Sequence, residues 1–157
     1  AFLREKLGID NDQFKPNALI LGYPLLDYIL MRDDAFNSED PIKRGLFGLA
    51  GQAVFGTPNP DEAQLKARSP VLHVSPQTPP VFMWHTAEDG LVSAQNSLVF
   101  ATALAKQKIP YELHVFAHGE HGLSLADETT ASHPGQNIPE TAAWFQLALS
   151  WLKKQMR

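Results

Sequence analysis

An α/β domain with parallel strands flanked by helices is the fold class that three features of this sequence predict. Residues 18–22 (ALILG) and 81–85 (VFMWH) are apolar almost without a break, as strands buried on both faces of a parallel sheet require. Residues 112–116 (ELHVF) alternate instead, which fits a more exposed strand. Between the second and third runs lies a stretch with helical spacing, so strand, helix and strand form a βαβ unit. A length of 157 residues with 44% hydrophobic residues suits one domain with a real core.

Taken in chain order, residues 1–14 (AFLREKLGIDNDQF) read like the tail of a helix and start with Ala, which leads us to expect the middle of something longer. The first strand follows at 18–22. Residues 25–80 differ in kind: they hold seven of the twelve prolines and only short helical candidates such as 61–68. So long a stretch between two strands is expected to be an insertion that covers or shapes a site, the bland alternative being an irregular crossover. After the strand at 81–85, residues 92–109 carry Ser93 as an N-cap candidate, with Leu98, Ala101 and Ala105 at helical spacing. The strongest helix signal is 139–156, where Trp144, Leu147, Ala148, Trp151 and Leu152 fall at i, i+3, i+4, i+7 and i+8. Its Lys153, Lys154 and Arg157 stand where the helix dipole favours positive charge.

Composition removes several classes of function. Apart from that C-terminal cluster there is no basic block, and the net charge is -4, which argues against a nucleic-acid partner. The chain has no cysteine, which excludes disulfides, thiolate metal sites and a cysteine nucleophile, and is compatible with the cytoplasm. No apolar run approaches the roughly 20 residues that span a bilayer, so no membrane role is expected. Residues 45–51 (GLFGLAG) are Gly-rich but lack the G-x-G-x-x-G pattern and its βαβ context, so a nucleotide site is not expected there.

Chemistry-bearing residues gather after the second and third strands. HTAEDGLVS puts Asp89 in a turn between a strand end and a helix, and FAHGEHGLSL puts His121 in the next such loop, thirty-two residues on. Loops at the carboxyl ends of neighbouring parallel strands meet above the sheet edge. A carboxylate there can fix the histidine tautomer and leave the other ring nitrogen as general base. Other assignments stay open at this point. His118 is an alternative base, Glu88, Glu120 and Asp27 are alternative acids, and His114, His118 and His121 with Glu120 form a possible metal set. His85 reads as a structural histidine supporting the Asp89 turn; His73, His114 and His133 read as packing or surface residues. Trp84, Trp144 and Trp151 read as core aromatics, with Trp84 near the Asp89 turn.

VFMWHTAEDGLVS followed by ELHVFAHGEHGLSL, with NALILGYP upstream and SPVLHVSPQTPP between, resembles the C-terminal half of an α/β-hydrolase of the esterase and lipase type. More narrowly it resembles small bacterial acetyl-xylan and feruloyl esterase-like proteins. The resemblance implies that Asp89 is the acid of a Ser-His-Asp triad, in an H-x-x-x-D-x-x-V stretch, and that His121 is its histidine, in G-x-H-G. It implies no cofactor and a small ester substrate, such as an acetylated sugar. The family places its serine earlier, in a G-x-S-x-G elbow that is absent here; the nearest string, Gly122-Leu123-Ser124-Leu125-Ala126, follows the histidine and has no strand leading into it. The expectation is therefore a C-terminal piece of a longer hydrolase, inactive alone. Its open sheet edge would be covered by the N-terminal half or a second copy. A non-catalytic module binding a partner through that edge is the alternative from another class.

Overall fold

The structure, a computed structural model, describes residues 6, 8 and 15–156; the helix-tail reading of residues 1–14 lies almost wholly outside them. Three parallel strands, β1 (Leu19–Gly22), β2 (Val81–Thr86) and β3 (Tyr111–Phe116), pair in the order β1-β2-β3. The register puts Trp84 between Gly22 and His114, and β2 and β3 run on together to Thr86 and Phe116, two residues past the end of β1. β2 is buried at every position, as its apolar run requires, whereas β3 is only half-buried. β1 is less covered than its apolar sequence suggests: Ile20 is 42% exposed, because β1 and β3 are the two edges of the described sheet.

One helix covers each face. Helix α4 (Gln95–Lys106) packs Phe100, Ala101 and Leu104 on Val81 and Met83. On the other face α6 (Trp144–Gln155) packs Ala148 and Trp151 on Phe82 and Trp84. Removing that much aromatic surface from water stabilises the sheet by about 2–3 kcal/mol per large side chain. The strong helical periodicity over 139–156 divides in two at Ala143, giving the short α5 (Pro139–Ala142) and then α6. α4 starts later than its spacing suggests. Ala94 is its N-cap residue, and the Ser93 hydroxyl still accepts from Gln95 N at 3.3 Å.

Residues 25–80 are far more helical than their prolines suggest. They form α1 (Tyr28–Asn37), α2 (Pro41–Phe55) and α3 (Glu62–Arg68), which share a small core of Ala35, Phe47 and Leu65. At the ends of α2 a proline and a glycine work as helix boundaries. Asp40 caps α2 through Ile42 N, Pro41 takes the first position where no N–H is needed, and Gly56 closes it at φ +74°. Inside α2, Gly51 is required because a Cβ would stand 2.9 Å from Thr57 O. Buried Asn96 ties this unit to α4, its Oδ1 accepting from Leu26 N and Asp27 N, while within the unit buried Ser69 Oγ accepts from Tyr28 N.

Candidate active site

The site lies at the shared carboxyl end of β2 and β3. Beyond Thr86 the chain turns sharply, with Ala87 N still donating to Phe116 O of β3. That turn presents Asp89, whose Oδ1 accepts from Leu91 N (3.0 Å) and Val92 N (2.9 Å). The loop after β3 is stitched to the same end of the sheet. Thr86 Oγ1 donates to Gly119 O at 2.6 Å and Thr141 Oγ1 to His118 O at 3.0 Å. Gly119 has φ +130°, and a Cβ there would fall 2.5 Å from Leu123 Cδ1, so the first Gly of G-x-H-G is a steric necessity.

This scaffold brings Asp89 and His121 together: His121 Nδ1 donates to Asp89 Oδ2 over 2.8 Å. The Asp89 side chain is 0% exposed and that of His121 is 28% exposed, so the pair presents one wet imidazole on a dry carboxylate. Burial pushes the Asp89 carboxyl up. Hydrogen bonds from His121, His85 and Val92 N outweigh it and hold the carboxyl well below the usual carboxylate range. Asp89 is therefore an anion that holds its own turn through Oδ1 and the His121 ring through Oδ2. Among the described residues nothing bonds Nε2 of His121, which leaves that nitrogen for a reacting proton.

The other candidates fall elsewhere. His118 pairs with Glu88, Nδ1 to Oε1 at 2.9 Å, and Glu88 Oε2 also accepts from Gly119 N. Both side chains are in water, at 74% and 58% exposure. Glu120 is bonded by His133 and Gln136, and His114 by its neighbour Glu112. The histidines proposed as a metal set thus each face a different carboxylate and share no centre. Asp27 caps α1 through Ile29 N and Leu30 N. His85, read as support for the turn, is fully buried and touches Asp89 Oδ2 at 3.2 Å, Val92 O at 2.8 Å and Ser97 Oγ at 2.9 Å. His73 lies on the surface near the Lys66 carbonyl.

Sequence reasoning missed Tyr23. It stands just past β1 at φ +39°, its ring packs edge-on against His121 (centroids 4.9 Å) and Trp84 (5.0 Å), and its hydroxyl accepts from Ser124 N. The one available signal was its place directly after the apolar run of β1, at a strand end where site residues gather. Ser124 itself sits at φ +56° in a loop, its carbonyl accepting from Trp144 Nε1. It is not in a strand-to-helix elbow, and among the described residues no hydroxyl is hydrogen-bonded to His121.

Comparison with known proteins fits this geometry. A family model, the prolyl oligopeptidase family, matches residues 38–156, a span that includes both Asp89 and His121. The chain belongs to the prolyl oligopeptidase family. This family member is 34% identical over 114 residues to endo-1,4-beta-xylanase B of Butyrivibrio fibrisolvens, covering 73% of the chain and 16% of that protein. Among solved structures it is similar to an acetyl ester-xyloside bifunctional hydrolase from Caldicellulosiruptor lactoaceticus, with 32% identity and a TM-score of 0.67. That match covers 88% of this chain and 42% of the other. It is also similar to a sugar hydrolase from Lactococcus lactis (29% identity, TM-score 0.71, covering 98% and 54%). A carboxylesterase from Lactobacillus plantarum matches at 29% identity and TM-score 0.69, covering 98% and 50%. The fold is thus that of an α/β-hydrolase, and this hydrolase-family chain spans about half the length of those solved relatives.

Proposed function

We propose that the chain supplies the acid and the general base of a serine-type carboxylic ester hydrolase, whose nucleophile elbow and oxyanion hole lie in an N-terminal half preceding residue 1. The observation that carries this reading is the 2.8 Å bond from His121 Nδ1 to the enclosed Asp89. In the reaction, Nε2 of His121 removes the proton from the serine hydroxyl as its oxygen attacks the ester carbonyl. The same nitrogen returns that proton to the departing alcohol, leaving an acyl-serine. A water then repeats the cycle and releases the acid. Asp89 stays ionised throughout and stabilises the imidazolium. No step calls for a cofactor.

Small acyl esters, with acetylated sugars foremost, suit the neighbourhood. A cavity of about 40 Å³ borders Gly90 and Val92 on one side and Met31, Ala35 and Leu46 of α1 and α2 on the other. At roughly 10–15 Å³ per water-sized atom this is room for about three heavy atoms, the number in an acetyl group. It lies where the 25–80 insertion, taken as a cap, faces the Asp89 turn. The names of the Caldicellulosiruptor and Butyrivibrio proteins, which involve acetyl esters and xylan, support the same substrate class. Glycoside cleavage by Asp89 is disfavoured, since all its oxygen contacts are already taken by protein donors. The N-terminal half would cover the β1 edge and the open face lined by Ile20, Tyr23, Trp84, Leu125 and Trp144. The absence of cysteine suits a cytoplasmic enzyme.

The test is steady-state hydrolysis of p-nitrophenyl acetate by the 157-residue chain and by a longer polypeptide that includes the preceding half. The longer protein is expected to turn over, His121→Ala abolishing it, and the shorter chain is expected to be inactive. Steady turnover by the 157-residue chain, lost on His121→Ala, would place the nucleophile inside it and overturn the division of labour. Inactivity of both would favour a partner-binding module that has kept the pair without using it.

A further inference from the structure

We propose that His85 is a positioning residue for the Asp89 and His121 pair: a neutral ring in the Nε2–H tautomer, locked from behind by Ser97, that pins the one oxygen on which His121 depends. The kinetic half of this proposal rests on the ester-hydrolase reading; the tautomer does not.

Nε2 of His85 faces two groups that can only accept, Val92 O at 2.8 Å and the Asp89 carboxylate at 3.2 Å. It must therefore carry a proton, shared between them. Nδ1 lies 2.9 Å from Ser97 Oγ, and both residues are fully buried. Among the described residues the Ser97 hydroxyl has no other partner, so its proton is free to go to Nδ1 and complete a neutral ring. The result is a chain of contacts: Ser97 donates to His85, the His85 Nε2 proton goes to Val92 O with Asp89 Oδ2 as its second, longer partner, and His121 donates to that same oxygen from the solvent side. Oδ1 is held by two backbone N–H groups, so the carboxylate has donors on both oxygens and cannot turn. His85 supplies the one side-chain donor that fixes Oδ2 from within the protein. The spacing follows from the fold. Residue 85 is in β2, residue 89 is one turn beyond it, and residue 97 faces back from the first turn of α4.

The experiment combines two readouts on the longer, ester-hydrolysing polypeptide. Nitrogen NMR of histidine-labelled protein at pH 7 is expected to show one ring with Nε2 protonated and Nδ1 bare, its Nδ1 resonance moving in Ser97→Ala and absent from His85→Gln. Two protonated nitrogens on that ring, or the opposite tautomer, would overturn the chain. In kinetics, His85→Leu removes the donor and is expected to lower kcat about tenfold to a hundredfold, the usual cost of losing an outer hydrogen-bond partner that orients a site residue. KM should stay within about twofold. His85→Gln, whose amide N–H can reach where Nε2–H lies, is expected to recover most of the rate. If Gln and Leu lose equally, or the loss appears in KM or follows the unfolding temperature, His85 is merely structural and the proposal fails. If no form hydrolyses any ester, the enzyme reading fails separately, and the NMR result still decides the tautomer.

Discussion

Glu88 and Asp89 are neighbours on one turn, and each is bonded to a histidine of the same facing loop at nearly the same distance, 2.9 Å and 2.8 Å. Solvent separates them. Asp89 is enclosed, with only the far side of its His121 partner reaching solvent, while Glu88 and His118 stand mostly in water. At that exposure a charge pair is screened and its geometry is loose. In the enclosed pair the low local dielectric makes the same contact strong and directional. Two carboxylate and histidine pairs of nearly equal length are thus different devices, one that holds an imidazole from an enclosed carboxylate, as the proposed base requires, and one that fastens a loop.

The largest expected difference is catalytic. In the proposed longer, ester-hydrolysing polypeptide, Asp89→Asn should lower kcat by about 10⁴-fold, because an amide favours the wrong His121 tautomer. Glu88→Gln should stay within about threefold in the same ester assay. Comparable losses from both would erase the distinction. Next is the loop that carries both histidines. Gly119→Ala would strain a φ of +130° and push Leu123 aside, so a loss of about 1–3 kcal/mol in urea unfolding is expected, together with reduced activity.

Smaller effects separate the pairs by pH and salt. The Asp89 carboxyl is depressed in the folded chain, so its stabilisation is complete above its unfolded value of about 3.9 and is lost as pH falls further toward the folded value. Asp89→Asn should flatten this acid limb. His118 is raised by its hydrogen bond to Glu88, and Glu88 is lowered by the same bond. The contribution of His118 is therefore present below about pH 6.5 and fades as pH rises through its folded value, and that of Glu88 is present only above about pH 4.3. Chemical unfolding at pH 5.5 and 8.5 should show a small difference that Glu88→Gln removes. Salt at 1 M should abolish that difference and leave the Asp89 acid limb in place.

Why one pair was legible and the other was not follows from what a sequence encodes. β2 was readable because an unbroken apolar run has few homes other than a sheet interior, and its end, with that of the neighbouring β3, fixed where Asp89 and His121 had to emerge. The pairing of His118 with Glu88 depends on side-chain directions across two loops, which spacing does not carry. Tyr23 meets Ser124 and His121 across about a hundred residues, through a backbone at positive φ that nothing local announces. Helix α2 was obscured by Gly45, Gly48 and Gly51, which lower helix propensity, although Asp40, Pro41 and Gly56 mark both of its ends. The late start of α4 and the break at Ala143 are carried by backbone turns that apolar spacing does not encode.

The most direct test of the central claim, that Asp89 and His121 serve a serine from elsewhere in the polypeptide, is labelling with a fluorophosphonate probe followed by peptide mass spectrometry. The longer protein should carry the label on one serine upstream of residue 1, and His121→Ala should remove it. Label that persists without His121, or that lands on Ser124, would contradict the assignment of the base or of the missing nucleophile.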